Sequence, residues 1–278
     1  MTDTVQAALV SGTQQLRAAG IDGAARDARH LMAHALGVGR DRITLVLHDD
    51  LPAQSKTVFD QLIVARADHT PVSKLTGLRA FYGRDFLVTN DVLDPRPETE
   101  VLIDQALERP FDSLLDLGTG SGAIVVTLLA ERPNSLATAV DISGAALDVA
   151  AQNAAFHGVG SRLTLSVSDW WANTGGSYDL IVSNPPYIAA DEMAALAPEV
   201  RNHDPHIALT DGGDGLSCYR QVTAQAIKHL NVGGRLIVEI GPSQGVAVQH
   251  LFKQSGFARV GIRVDLDGRD RVVFGEKL

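Results

Sequence analysis

The chain of 278 residues is 45% hydrophobic and 21% charged, with a mean hydropathy of +0.05 and a formal charge of −9. Such a composition supports one large core and a smaller one, and no apolar run approaches the roughly 20 residues that a membrane helix needs. The single cysteine, Cys218, excludes an intrachain disulfide and a cysteine-cluster zinc site, and the polar start Met1-Thr-Asp-Thr argues against a cleaved signal peptide. The expectation is a cytoplasmic protein with no membrane attachment.

Residues 1–70 read as a bundle of short helices. Val5, Ala8, Leu9 and Leu16 give a first apolar face, and Ala28, Leu31, Met32 and Ala35 recur at the i, i+3, i+4, i+7 spacing of a second. Asp22 is a candidate N-cap for that second helix and Gly37 its stop. Val58, Phe59, Leu62 and Ile63 mark a further helix that ends before His69-Thr70-Pro71. With no titratable cluster, this segment serves either to grip a substrate or to cap its neighbour, and the pattern alone does not separate the two.

Residues 71–97 form a linker of different character. Phe81–Val88 predicts a β-hairpin with Gly83 at or near its turn. In Pro95-Arg96-Pro97-Glu98-Thr99-Glu100, Pro97 suits the first position of a helix and the two glutamates suit its positive end.

Residues 98–278 alternate strands with helices, which predicts a mostly parallel sheet covered on both faces. Strand-like runs are 113–117, 136–141, 163–167, 180–183, 235–240, 260–264 and 271–274, with helical patterns over 123–131, 144–156, 219–230 and 245–254. The connection Asp267-Gly268-Arg269 is too short for a helical crossover, so the last two strands pair antiparallel. A Rossmann-like, mostly parallel seven-stranded sheet with one antiparallel strand is the arrangement of class I S-adenosylmethionine-dependent methyltransferases.

Two motifs carry the chemistry. The first is Asp116-Leu-Gly-Thr-Gly-Ser-Gly122, a buried-type strand running into a loop whose glycines let the backbone approach a ligand. Its glycines at 118, 120 and 122 lack the spacing of the nicotinamide fingerprint, and Asp116 precedes them. Asp141, at the end of the next strand, is placed to accept hydrogen bonds from ribose hydroxyls. Asp169 follows the strand after that and is placed to accept from an adenine amino group, while Trp170 either packs on the ring or is a half-buried core aromatic.

The second motif, Asn184-Pro185-Pro186-Tyr187, ends the fourth strand of this region. The Asn184 side-chain carbonyl and the Pro185 backbone carbonyl can each accept one N–H of an incoming –NH2 group, the two prolines stiffen the turn, and Tyr187 can pack on a planar group. That is machinery for methylating an amide or aromatic-amine nitrogen, and it decides the cofactor loop in favour of S-adenosylmethionine. The chemistry calls for no metal, and the turn alone does not separate an amide acceptor from a base amine.

These segments, with Phe81-Tyr82-Gly83, Pro198-Glu199-Val200, Asp211–Leu216, Glu239-Ile240-Gly241 with Gln244, and Asp270-Arg271, resemble the peptide chain release factor N5-glutamine methyltransferases, the HemK/PrmC family. The resemblance covers nearly the whole chain. It implies that the acceptor is the glutamine of the Gly-Gly-Gln motif in class I release factors and that residues 1–70 dock that partner. It also implies that Gly118, Thr119, Gly120, Ser121, Gly122, Asp141, Trp170 and Asn184 contact the cofactor, beside Asp169 as placed above, and that Asn184, Pro185, Pro186 and Tyr187 contact the glutamine. A ribosomal-protein glutamine or an exocyclic amine of DNA or RNA is the alternative acceptor. Charge speaks against nucleic acid, since the most basic stretch, Arg263 to Arg271, is diluted by Asp265, Asp267 and Asp270, and a monomer is expected. Two residues depart from the family pattern: Asp94 stands where an aliphatic residue is usual, and Lys74 lies in a segment more often aromatic or amide-bearing.

Overall fold

The computed structural model describes residues 4–278; Met1–Asp3, part of the polar start noted above, lie outside the described residues. The chain divides into two compact units, Met1–Leu78 with Ala197–His203, and Arg79–Leu196 with Asp204–Leu278. The expected boundaries at 70 and 97 fall inside these units.

In the first unit, helices α1 (Val5–Ala18), α2 (Ala24–Leu36) and α3 (Ala53–Ala67) enclose Leu16, Leu31, Met32, Phe59 and Ile63, and a short α4 (Val72–Thr76) follows. Thr4 caps α1 by accepting from the Ala7 amide. Asp22 does not cap α2: Gly23, in the left-handed region at φ 73°, holds that position, while Gly37 ends the helix as expected. Gly12 lets α1 approach α3, because a Cβ there would stand 2.8 Å from the Phe59 ring. The unit's polar centre is Arg66. Its buried guanidinium donates to Asp27 at 2.9 Å, to the Thr70 carbonyl at 3.2 Å and to Glu199 at 2.7 Å.

From Arg79 the second unit opens with the hairpin of β1 (Leu78–Phe81) and β2 (Arg84–Leu87). Its turn residues Tyr82 and Gly83 both have positive φ, 48° and 71°, as a tight two-residue hairpin turn of the primed type requires. Tyr82 is held in this unfavourable region by its amide, which donates to Glu100 at 2.8 Å, and by its hydroxyl, which donates to Asp104 at 2.9 Å. Glu100 opens helix α5 (Glu100–Leu107), preceded by a single 3-10 turn at Pro97–Thr99, so it fixes the hairpin tip as well as suiting the helix start.

The remaining elements are β3 (Ser113–Leu117), α6 (Ala123–Glu131), β4 (Leu136–Asp141), α7 (Gly144–Phe156), β5 (Leu163–Val167), β6 (Tyr178–Ser183), α8 (Pro198–His203, grouped with the first unit), α9 (Ser217–Ala226), β7 (Leu230–Glu239), α10 (Gly245–Gln254), β8 (Ala258–Val264) and β9 (Asp270–Glu276). The strand order is β5-β4-β3-β6-β7-β9-β8, parallel except for β9, which runs against both of its neighbours. This is the Rossmann-like sheet of a class I methyltransferase. Successive side chains alternate faces: Leu114, Leu180, Val182 and Ile237 enter one core with Phe81, Phe86 and α6, while Leu115, Ile181, Leu236 and Val238 enter the other with Tyr219 and Phe252. Each such side chain, when fully buried, contributes about 1.5–3 kcal/mol.

Because the order reverses at β3, the carboxyl ends of β3 and β6 lie side by side, with Leu117 paired to Ser183. Beyond that pair the two chains part, and ligand sites of open α/β sheets form in such a crevice.

Replacing Arg66 with Met removes a buried guanidinium that pairs with two carboxylates, of which the buried one, Asp27, keeps only Arg26 at 3.3 Å among the described residues. The expected loss is about 3–5 kcal/mol of stability in the first unit, measured by denaturant unfolding.

Candidate active site

A cavity of about 340 Å3 opens at this crevice, and residues from four parallel strand ends line it. From β3 come Gly118–Ser121, from β4 Asp141, from β5 Asp169 and Trp170, and from β6 Asn184 and Pro186. Of the residues predicted from sequence, Gly122, Pro185 and Tyr187 lie outside the lining.

The glycine loop is shaped by positive φ at Gly118 (71°), Gly120 (54°) and Gly122 (78°). A side chain at Gly122 would meet Ala150 of α7 at 3.1 Å, so this glycine sets the close packing of helix on loop. Thr119 donates its hydroxyl to Asp116 at 2.7 Å, and Gly118 and Thr119 both donate their amides to the Val140 carbonyl. Asp141 holds the loop too, accepting from the Gly120 amide at 2.8 Å and from the Ser143 amide at 2.9 Å. Each of its oxygens has a further lone pair for a ligand hydroxyl. Trp170 takes φ 47°, and its carbonyl accepts from Ser168 at 2.9 Å and Thr174 at 3.2 Å, which stabilises that turn. Trp171 turns away, buried in the second core, with its indole N–H on the Gln221 carbonyl.

At the Asn184–Tyr187 turn, the Asn184 amide nitrogen points to the Thr99 hydroxyl at 3.4 Å. Thr99 and Glu239 are both buried, and the Thr99 hydroxyl lies against the Glu239 carboxyl. With its nitrogen directed to Thr99, Asn184 turns its side-chain oxygen elsewhere. Among the described residues neither that oxygen nor the Pro185 carbonyl accepts a hydrogen bond. Pro185 is buried, and Tyr187 packs its ring against the second core, where burial pushes its phenol pKa well up.

Three contributors escaped the motif reading. Thr99 shows in the sequence only as part of a helix start and of a family-like segment, with no role of its own. Asn153 on α7 donates to the Ser121 carbonyl at 2.8 Å and to the Leu87 carbonyl at 3.0 Å, and accepts from the Leu87 amide at 2.7 Å, so it ties hairpin strand β2 to the glycine loop. A buried asparagine in a helical pattern was the available signal. The third, Gln244, had been noted only within a family-like segment. Asp94, the departure from the family pattern, is buried and lines the cavity.

The chain from residue 7 to 77 matches the family model described as the PrmC N-terminal domain, and residues 89–214 match the Methyltransferase small domain. A release factor glutamine methyltransferase of Cereibacter sphaeroides is 57% identical over 266 residues, covering 96% of each chain. One of Caulobacter vibrioides is 40% identical over 282 residues, covering 100% of this chain and 98% of that one. The chain belongs to the release factor glutamine methyltransferase family. In fold it is similar to a methyltransferase from Pyrococcus furiosus, with a TM-score of 0.54 at 18% identity, covering 72% of this chain and 92% of that one. It is an S-adenosylmethionine-dependent enzyme. The cavity fits that cofactor, because the glycine cradle leaves backbone room, two carboxylates can accept from hydroxyl and amino groups, and Trp170 offers an aromatic face. Among the described residues no helix is long and apolar enough to cross a membrane, and no His, Cys, Asp or Glu group is arranged to hold a metal.

Burial raises the Asp116 carboxyl from 3.8 to about 7, offset in part by the Thr119 hydroxyl and reinforced by Asp141. A folded value above the unfolded one means that ionisation opposes folding: the contribution is complete below the unfolded pKa and is lost as pH rises through the folded one. The melting temperature of the wild type relative to Asp116→Asn is therefore expected to fall between about pH 4 and about pH 7, as read by calorimetric scans across that range.

Proposed function

We propose that this enzyme transfers the methyl group of S-adenosylmethionine to the side-chain amide nitrogen of the glutamine in the Gly-Gly-Gln motif of class I release factors. The observation that carries the reading is the pair of unspent acceptors, the Asn184 side-chain oxygen and the Pro185 carbonyl, on a turn that borders the cofactor cavity. An amide –NH2 has two N–H groups to give, and a turn with two open acceptors matches it. The names of the relatives from Cereibacter sphaeroides and Caulobacter vibrioides support a release factor glutamine as the acceptor.

An amide nitrogen is a weak nucleophile because its lone pair is delocalised into the carbonyl. Accepting both N–H bonds at Asn184 and Pro185 draws electron density toward nitrogen and orients its lone pair. The cofactor supplies a methyl group on a sulfonium, whose departure leaves a neutral thioether. Once methylated, the amide gives up one N–H proton to solvent and returns to neutrality. Thr99 holds the Asn184 amide so that oxygen, not nitrogen, meets the acceptor. Fixing the reactants in this way can lower the barrier by about 7–11 kcal/mol in favourable cases. Pro186 borders the cavity and Tyr187 supports the turn from the core side. Gly118–Gly122, Asp141, Asp169 and Trp170 hold the cofactor.

The first unit, which carries the PrmC N-terminal domain match, serves as the docking module for the release factor. The acidic balance of the chain supports a protein acceptor over nucleic acid. The chemistry needs no second copy, so the enzyme acts as a monomer, in the cytoplasm where release factors work.

Incubating a purified class I release factor with the enzyme and S-adenosylmethionine is expected to add one CH2, localised by peptide mass spectrometry to the Gly-Gly-Gln glutamine. No gain on that residue, with cofactor binding intact, would transfer the search to ribosomal proteins and base amines. Asn184→Ala is expected to lower kcat by about 10²-fold while cofactor Kd by calorimetry stays within about threefold. Asp141→Ala should weaken cofactor binding instead, at about 1.5–3 kcal/mol for each charge-assisted hydrogen bond lost, since it also frees the Gly120 and Ser143 amides that shape the loop.

A further inference from the structure

Gln244 stands immediately before α10 and does not line the cavity. Its amide nitrogen donates to the Tyr187 carbonyl at 2.8 Å and to the Gly215 carbonyl at 3.1 Å, and its oxygen accepts from the Gly241 amide at 3.0 Å. The Tyr219 hydroxyl, which donates to the Glu239 carbonyl at 2.8 Å, lies 3.4 Å from the same oxygen. A primary amide has two N–H donors and two lone pairs. Flipping this one would set its oxygen against two carbonyls, so the orientation is fixed by the network.

The three backbone segments that it joins are the end of the catalytic turn, the end of β7 and the loop that leads into α9. That loop is folded around Asp211, whose oxygens accept from the Gly213, Gly215 and Ser217 amides and the Ser217 hydroxyl. One side of the loop borders the cavity through Asp211, Ser217 and Cys218. The other side grips the chain that leaves the turn, with the Ile188 amide on the Leu209 carbonyl and the Ala190 amide on the Gly213 carbonyl. The approach is so close that a Cβ on Gly215 would stand 2.4 Å from the Tyr187 oxygen and 2.9 Å from the Gln244 nitrogen. Only a glycine at φ 73° leaves the amide room to reach both carbonyls.

We infer that Gln244 is a positioning residue for methyl transfer: it locks the Asn184–Tyr187 turn at its carboxyl end and joins it to the 211–217 cavity wall as one body. The inference rests on the proposed role of that turn. Thr99 fixes the side chain at the first residue of the turn, and Gln244 fixes the backbone at the last. The segment between them then has little freedom to change the direction of the Pro185 carbonyl. A displacement of about 1 Å at such a site can cost about 10²-fold in rate.

The test compares wild type with Gln244→Glu, which keeps size but when ionised has no donor for the two carbonyls, and Gln244→Ala. Both variants are expected to bind S-adenosylmethionine within about threefold of wild type by calorimetry, and to lose kcat by about 10²-fold with a much smaller change in acceptor KM. Hydrogen exchange read by mass spectrometry should speed up by about tenfold or more at the Ile188 and Ala190 amides, with the sheet unchanged. Wild-type kcat in either variant overturns the inference, as does unchanged exchange at those two amides. Loss of cofactor binding, or of the fold, in both variants also overturns it, because the residue would then serve general stability. If wild type leaves release factor glutamine unmodified, the proposed acceptor fails, while the exchange experiment still decides whether Gln244 locks the turn.

Discussion

The parallel register of β5, β4, β3, β6 and β7 is the constraint on which the site depends. Asp141 pairs with Val167, Val140 with Leu117, Leu117 with Ser183, and Ser183 with Val238. Five strands thus finish at one level, and the residues that follow each of them are delivered together by that register. A slip of one residue in any ladder would exchange the two faces of that strand. It would also carry Leu180 or Ile181 into the wrong core, so hydrophobic burial on both faces fixes the level at which the chemistry sits. The site is accurate because the cores below it are intolerant.

Above that level the backbone has left the sheet, and side chains with paired hydrogen-bonding capacity take over the task of holding it. Asn153 joins β2 to the glycine loop, Asp141 joins that loop to the start of α7, and Asp211 folds its own loop from within. Each offers two or more polar atoms to backbone groups, and where such a group is buried, leaving it without a partner costs about 1–3 kcal/mol. The same groups therefore satisfy the backbone and set the geometry. The Asn184 side-chain oxygen and the Pro185 carbonyl differ in having no hydrogen-bond partner among the described residues.

The sheet was legible because its strands are short apolar runs bounded by turns, and β3, β4 and β5 were read with their observed ends. The start of β7 was read late, since Asn231, Gly233 and Gly234 break the apolar pattern although the backbone continues in strand. The glycine loop, Asp141 and the Asn184 turn could be found because each lies at a strand end with a composition that a core does not need. Asn153 and Gln244 were harder to assign, because their function lies in which carbonyl they reach across the fold: Asn153 shows in the sequence only as an amide within a helical pattern, and Gln244 only as part of a family-like segment. The Asp22 cap failed for a local reason: Gly23 turns the chain through the left-handed region without help from a side chain. The unit boundaries lay beyond sequence periodicity as well, since Ala197–His203 groups with helices far earlier in the chain.

Strand β9 is the latest of the strands in chain order, yet it is not at an edge of the sheet. It runs between β7 and β8, and its Arg271 carbonyl accepts from Ile240, just beyond the end of β7 and beside the site. During synthesis, then, β8 has no neighbour in the sheet to pair with until β9 has emerged. A nascent chain carries its glycine loop and its Asn184 turn long before the wall behind them can close. The enzyme comes into being late in its own translation, and a chain interrupted before Asp270 would lack an interior strand instead of a dispensable margin.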